Sequence, residues 1–288
     1  MLFEIVHKTD YSYSLPVTEA CLEARLRLPS LPGQQVLQQK LEINPPVQVS
    51  DYRDPFGNEV AFLSMAQRHE RLRLILRARV RTSPTPKPLE ALATTVAEAR
   101  QILSSKLSEI FEYLEPTPVV PVGGCVAAWV KKIFRSDRPL GDALFDVCQA
   151  IYKKFEYQPG ATENTTPFAE IWRQRKGVCQ DFAHVMLSIL RTAGIPSRYV
   201  CGYIESGIPE KGGLTGSLAT HAWVEALVPG MVWVGFDPTN NQMSGERHVA
   251  ASFGRDYSEA APVRGTFKGA GTQKMKVKVS MKRLKERE

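Results

Sequence analysis

Apolar and polar residues alternate with a period of two through much of the first 82 residues. The clearest runs are 21–28 (Cys-Leu-Glu-Ala-Arg-Leu-Arg-Leu) and 72–80 (Leu-Arg-Leu-Ile-Leu-Arg-Ala-Arg-Val). Successive side chains of a strand point to opposite faces, so this pattern predicts strands with one face buried. Shorter strand-like pieces lie at 3–8, 11–13, 36–43 and 60–65. Pro29, Pro32, Gly33 and Pro45 with Pro46 interrupt them, and Asp54-Pro55-Phe56-Gly57-Asn58 is a strong turn signal. Short strands separated by turns predict an antiparallel sandwich or partial barrel.

The period then changes. Residues 82–88 (Thr-Ser-Pro-Thr-Pro-Lys-Pro) read as a linker, because closely spaced prolines continue neither sheet nor helix. Helical composition follows at 89–113 and 126–134, with a Pro- and Gly-rich loop at 116–124 between them. Asp142 is placed to N-cap a helix over 143–155, and Pro167 to open another through 175. Next, Phe182, Ala183, Val185, Met186, Ile189 and Leu190 recur at helical spacing, which predicts a helix with one buried face. Gly177 precedes it in a turn, and Gly194 and Pro196 end it. Strand-like runs return at 198–205, 221–228 and 232–237, with a long glycine-rich loop over 206–220. The fold class expected is α+β. A β domain spans 1–82, a helical connector 83–136, and a catalytic core with a C-terminal strand and basic tail 137–288.

Hydrophobic content of 43% and charge of 23% are those of a globular protein with a sizeable core. No run of 18 uncharged apolar residues predicts a membrane span, and residues 1–10 resemble no secretory leader, so a cytoplasmic location is expected. The net charge of +7 raises nucleic acid as a partner. Residues 274–288, however, carry seven Lys or Arg against two Glu, so most of the excess sits in one terminal segment. There Lys274, Lys276 and Lys278 alternate with Met275, Val277 and Val279, the pattern of a guarded edge strand. Neither a nucleic-acid nor a membrane partner is expected, and the oligomeric state is left open. The five cysteines are odd in number and never spaced as C-x-x-C, which speaks against disulfides and zinc.

One cysteine stands apart. Cys179 opens the apolar helix, where unpaired backbone N–H groups and the helix dipole favour a thiolate, the nucleophilic form. A cysteine nucleophile needs a base and a group that orients the base. His221 begins one strand and Asp237 ends the next. A three-residue loop at Val228-Pro229-Gly230 would pair Leu227 with Met231 and bring His221 opposite Asp237 on one face. A two-residue loop would throw Asp237 to the other face.

Gly177-Val178-Cys179-Gln180-Asp181-Phe182-Ala183, Thr220-His221-Ala222-Trp223 and Phe236-Asp237-Pro238-Thr239 together resemble the three motifs of the transglutaminase-like superfamily. Tyr11-Ser12-Tyr13, the Asp54–Asn58 turn and Gly254-Arg255-Asp256-Tyr257 resemble bacterial members with an N-terminal β domain. The resemblance spans nearly the whole chain. It implies a papain-like core and a Cys179–His221–Asp237 triad acting through a thioester. No cofactor or metal is expected. Tyr157, Gln174 and Trp223 are candidates for oxyanion or substrate contacts. Asp181 reads as a cap for the first helical turn or a hydrogen-bonding group behind the site. His184 reads as a structural histidine, His7, His69 and His248 as structural or exposed, and the other four cysteines as small buried hydrophobes. A zinc site from Cys179, His184 and His221 has no spacing pattern behind it. The function expected is a cysteine protease or amidase acting on a peptide or protein substrate. Cross-linking acyl transfer and a non-catalytic scaffold of the same fold are its rivals.

Overall fold

A computed structural model of the chain describes residues 1–163, 165–205, 215 and 219–285. The alternating N-terminal segment forms strands β1 (Leu2–Val17), β2 (Glu19–Ala24), β3 (Gln34–Asn44), β4 (Val49–Arg53), β5 (Glu59–Met65) and β6 (His69–Thr82). The two pieces expected at 3–8 and 11–13 are one sixteen-residue strand. Its inward positions include polar His7 and Thr9, which hides the pattern. His7 Nε2 lies 3.0 Å from Thr9 Oγ1 and Nδ1 lies 2.9 Å from the Tyr203 hydroxyl, so burial leaves neither ring nitrogen orphaned.

Helices α1 (Leu89–Ala93), α2 (Val96–Ser104), α3 (Leu107–Ile110) and α4 (Ala127–Ile133) follow. Helix α5 runs Leu140–Lys154, so Asp142 lies inside its first turn rather than capping it; Pro139 occupies the cap. Strand β7 (Glu156–Tyr157), α6 (Phe168–Gln174) and β8 (Lys176–Gly177) lead into α7 (Cys179–Thr192). Strands β9 (Ser197–Ile204), β10 (His221–Val228), β11 (Val232–Asp237), β12 (Gln242–Met243) and β13 (His248–Gly254) come next. After them come α8 (Tyr257–Ala260), β14 (Val263–Lys268) and β15 (Gln273–Leu284). Of the loop expected at 206–220, only Thr215, Ala219 and Thr220 fall among the described residues.

Two four-stranded antiparallel sheets, β15-β1-β6-β3 and β14-β2-β5-β4, enclose one apolar core that includes Phe3, Leu22, Leu63, Leu72 and Leu76. This is a sandwich. Its last strands come from the far end of the chain, with Lys278 opposite Lys8 and Thr266 opposite Cys21. The grouping of 137–288 as one unit is therefore corrected: β14 and β15 complete the N-terminal sandwich. The lysines of β15 do point outward from an edge strand. The connector grouping is corrected too. Val96, Ala99, Val126 and Ile133 share a core with α5 and α7, because an amphipathic helix must bury its stripe somewhere.

The second core lies under a five-stranded sheet, β12-β11-β10-β9-β13, with α7 packed on β9 and β10. Helix α7 is buried nearly all round rather than on one face. Its polar residues have found partners. Ser188 donates to the Pro121 carbonyl at 2.5 Å, and Arg191 donates to the carbonyls of Glu115, Ser197 and Arg255. The helix is therefore the rigid centre from which Cys179 projects.

Candidate active site

The approach to Cys179 is fixed residue by residue. Arg175 ends α6 in the left-handed region, at φ 56°, with its guanidinium 3.6 Å from the centre of the Trp172 ring. Gly177 then pairs with Tyr157 in a two-stranded parallel ladder. A side chain at Gly177 would meet the Asp181 carboxylate, since a Cβ there would sit 2.4 Å from Oδ2. The bare glycine lets Asp181 fold back. Its Oδ2 accepts from the Val178 backbone N–H at 2.8 Å and from the Thr162 hydroxyl at 2.6 Å. Asp181 thus caps the helix, the first of its two expected roles, and also holds the Thr162 hydroxyl. Burial pushes its pKa up, opposed by these two hydrogen bonds. Cys179 is the first residue of α7 and is 9% exposed.

The hairpin carrying His221 and Asp237 has a three-residue loop, but one position later than expected. Val228 pairs with Val232 across Pro229-Gly230-Met231, with Met231 at φ 60°. Trp233 pairs with Leu227 instead of Glu225. A shift of two residues preserves the face, because side chains alternate with period two. His221 and Asp237 therefore meet on the diagonal, with His221 Nε2 2.8 Å from Asp237 Oδ2, and both side chains fully buried.

Asp237 is held by five donors. Oδ1 accepts from the backbone N–H groups of Thr239 (3.0 Å) and Asn240 (3.2 Å). Oδ2 takes His221, the Asn240 amide at 2.7 Å and His248 Nε2 at 3.1 Å. Burial would raise the pKa of this carboxyl, but the charge of His221 and the hydrogen bonds from His221 and His248 hold it far below the usual range. Burial would likewise lower His221; the charge and hydrogen bond of Asp237, and then the neighbouring Cys179, push it up to about 10 instead. Among the described residues its Nδ1 has no hydrogen-bond partner, and it is the ring atom left for the thiol.

The remaining candidates fall out differently. Tyr157 lies half-buried beside Gly177, its pKa pushed up to about 12 by burial and by Cys179. Trp223 is buried in the sheet, its ring centre 6.2 Å from that of His221, and its indole N–H has no partner among the described residues. Gln174 does not join them: it is exposed and donates to Glu170 on its own helix at 2.7 Å. His184 is structural, its Nε2 accepting from the Tyr257 backbone N–H at 3.2 Å. Cys148 and Cys201 are buried as expected, whereas Cys21 and Cys125 are exposed.

Two side chains on Asp237 escaped the sequence reading. Asp237-Pro238-Thr239-Asn240 is an Asx-type turn signal that would have found Asn240. His248 offered none: it opens β13 eleven residues later in a run without alternation.

Residues 127–238 match the family model described as the Transglutaminase-like superfamily, and residues 3–81 the Bacterial transglutaminase-like N-terminal region. An uncharacterized protein of Mycobacterium leprae is 32% identical over 280 residues, covering 97% of this chain and 98% of that protein. A protein-glutamine gamma-glutamyltransferase of Pseudomonas aeruginosa is 33% identical over 99 residues, 31% of this chain and 15% of that protein. The crystal structure of a candidate cysteine protease from Cytophaga hutchinsonii superposes with a TM-score of 0.75 at 21% identity. It covers 98% of this chain and 90% of that one, a likeness of fold.

Proposed function

The chain belongs to the transglutaminase-like superfamily, and from that premise we propose that it is a cysteine hydrolase cleaving amide bonds of peptides or proteins. The observation that carries the proposal is the buried His221–Asp237 hydrogen bond of 2.8 Å, with Nδ1 left to Cys179. Cys179 Sγ attacks the substrate carbonyl while its proton resides on His221 Nδ1. The carbonyl becomes an oxyanion, met by the free backbone N–H groups at the start of α7. His221 then returns the proton to the departing amine as the C–N bond breaks, leaving a thioester on Cys179. Water, deprotonated by His221, attacks the thioester and releases the acid and the free thiol. Asp237 stays ionised throughout and fixes the ring so that Nδ1 faces the sulfur.

A second reading replaces water with an amine, giving acyl transfer. The partial similarity to the Pseudomonas aeruginosa glutamyltransferase favours it. One experiment separates the two. A panel of peptides and small amides is incubated with and without a primary amine, beside Cys179→Ala. Hydrolysis predicts acid as the product in both arms and nothing from the variant. Amine incorporation would establish the second reading, and turnover by Cys179→Ala would overturn both.

A further inference from the structure

His248 lies outside the three motifs, yet its side chain ends on the same carboxylate oxygen as His221. The contact is directional. The Gly245 backbone N–H donates to His248 Nδ1 at 3.3 Å, so the ring proton sits on Nε2 and points at Asp237. A tight turn, His248 N–H to the Gly245 carbonyl at 2.8 Å, fixes the backbone around it. The indole of Trp223 meets the His248 ring edge-on at 5.3 Å while stacking on His221. Gly202 permits this packing, since a Cβ there would sit 2.5 Å from the Trp223 ring. His248 is itself buried.

We propose that His248 is a positioning residue of the site, a fixed donor that shares Asp237 Oδ2 with His221 and thereby tempers the hold of Asp237 on the imidazolium. The proposal rests on the cysteine-hydrolase reading for its catalytic consequence and on geometry alone for the rest. An oxygen that accepts three hydrogen bonds gives less of its charge to each. His221 must surrender a proton to the leaving amine, and an imidazolium bound too tightly is a poor acid. Among the described residues, the ionisable groups facing His221 are Asp237 from β11, Cys179 from α7 and, at 6.4 Å between ring centres, His248 from β13. Tyr157 of β7, Tyr199 and Cys201 of β9 and Tyr257 of α8 face Cys179 in turn.

The test needs no substrate. Imidazole ¹⁵N NMR of the full chain reads each histidine's tautomer and follows His221 through its titration. The tautomer of His248 in the unmodified protein should show Nε2–H with a bare Nδ1. In His248→Ala the His221 midpoint should move up by about half a unit, and His248→Gln, which keeps a donor at that distance, should restore it. A His248 proton on Nδ1, or a His221 midpoint unmoved in folded His248→Ala, would overturn the proposal. Should His248→Ala not fold, the tautomer of His248 in the unmodified protein still decides it. With an amide substrate, kcat should fall several-fold at unchanged KM in His248→Ala. A shifted midpoint in a protein that hydrolyses nothing would refute the hydrolase reading and leave the positioning role standing.

Discussion

Asp237 is fully buried, so its charge is stable only because its donors hold it. Its partner His221 is raised from 6.5 to about 10, so protonated His221 stabilises the fold fully below about pH 6.5 and loses that contribution as pH rises towards 10. Asp237 is depressed, so its contribution is present above about pH 4 and is lost on acidification. Asp237→Asn should therefore lower the Tm by more at pH 6 than at pH 9.5. A gap that widens with pH would contradict the ion pair. The same variant should cut amide turnover by roughly three to four orders of magnitude, since an asparagine favours the wrong tautomer. At this scale the three motif residues were legible because each sits at an element boundary that the sequence announces: Cys179 at a helix start, His221 and Asp237 at strand ends. His248 was not, because nothing local distinguishes it from a buried structural histidine.

The elements were legible where period and punctuation agree. Strands β10 and β11 match the runs read at 221–228 and 232–237, while their register was off by two. The reason is Met231, a non-glycine residue with positive φ, which moved the turn from 228–230 to 229–231. His221 and Asp237 still share a face, because that depends only on whether the loop is odd or even. Helix α7 was placed correctly, but its all-round burial was not foreseeable, since Asp181, His184, Ser188 and Arg191 look like a solvated face until their partners are known. The capping of α7 gives a prediction at this scale. Asp181→Ala should destabilise by about 1–2 kcal/mol, read as a lower Tm. Gly177→Ala should be worse, because its Cβ would displace that same carboxylate. A Gly177→Ala protein as stable as the parent would show that the turn is less constrained than argued.

Across the molecule, the sandwich and the site-bearing sheet are joined along β13, the edge strand that begins with His248. Side-chain amides satisfy that edge. Gln34 accepts from the Ala250 N–H at 2.8 Å and donates to its carbonyl at 2.9 Å. Asn58 does the same for Phe253, at 2.8 and 2.7 Å. The turn read from Asp54 to Asn58 is thus also a clamp, a role invisible without the partner strand. Asn58→Ala leaves buried backbone groups unpaired and should cost about 2–3 kcal/mol, with both halves melting in one transition. Two separated transitions would show that the joint is not cooperative. His7 in the sandwich and His184 in α7 are both lowered to about 4 by burial, so the stability they allow is present above about pH 6.5 and is lost as pH falls through 4. Set against His221, which costs stability on the alkaline side, this predicts a Tm that peaks near pH 6–7 and declines both ways.

Activation of Cys179 by His221 is read out by iodoacetamide alkylation at pH 6, mapped cysteine by cysteine. The exposed Cys21 and Cys125 serve as internal reference thiols. Cys179 should react at least about tenfold faster than either despite its burial, and His221→Ala should abolish the advantage. A Cys179 that reacts no faster than Cys21, and is indifferent to His221→Ala, would contradict the account.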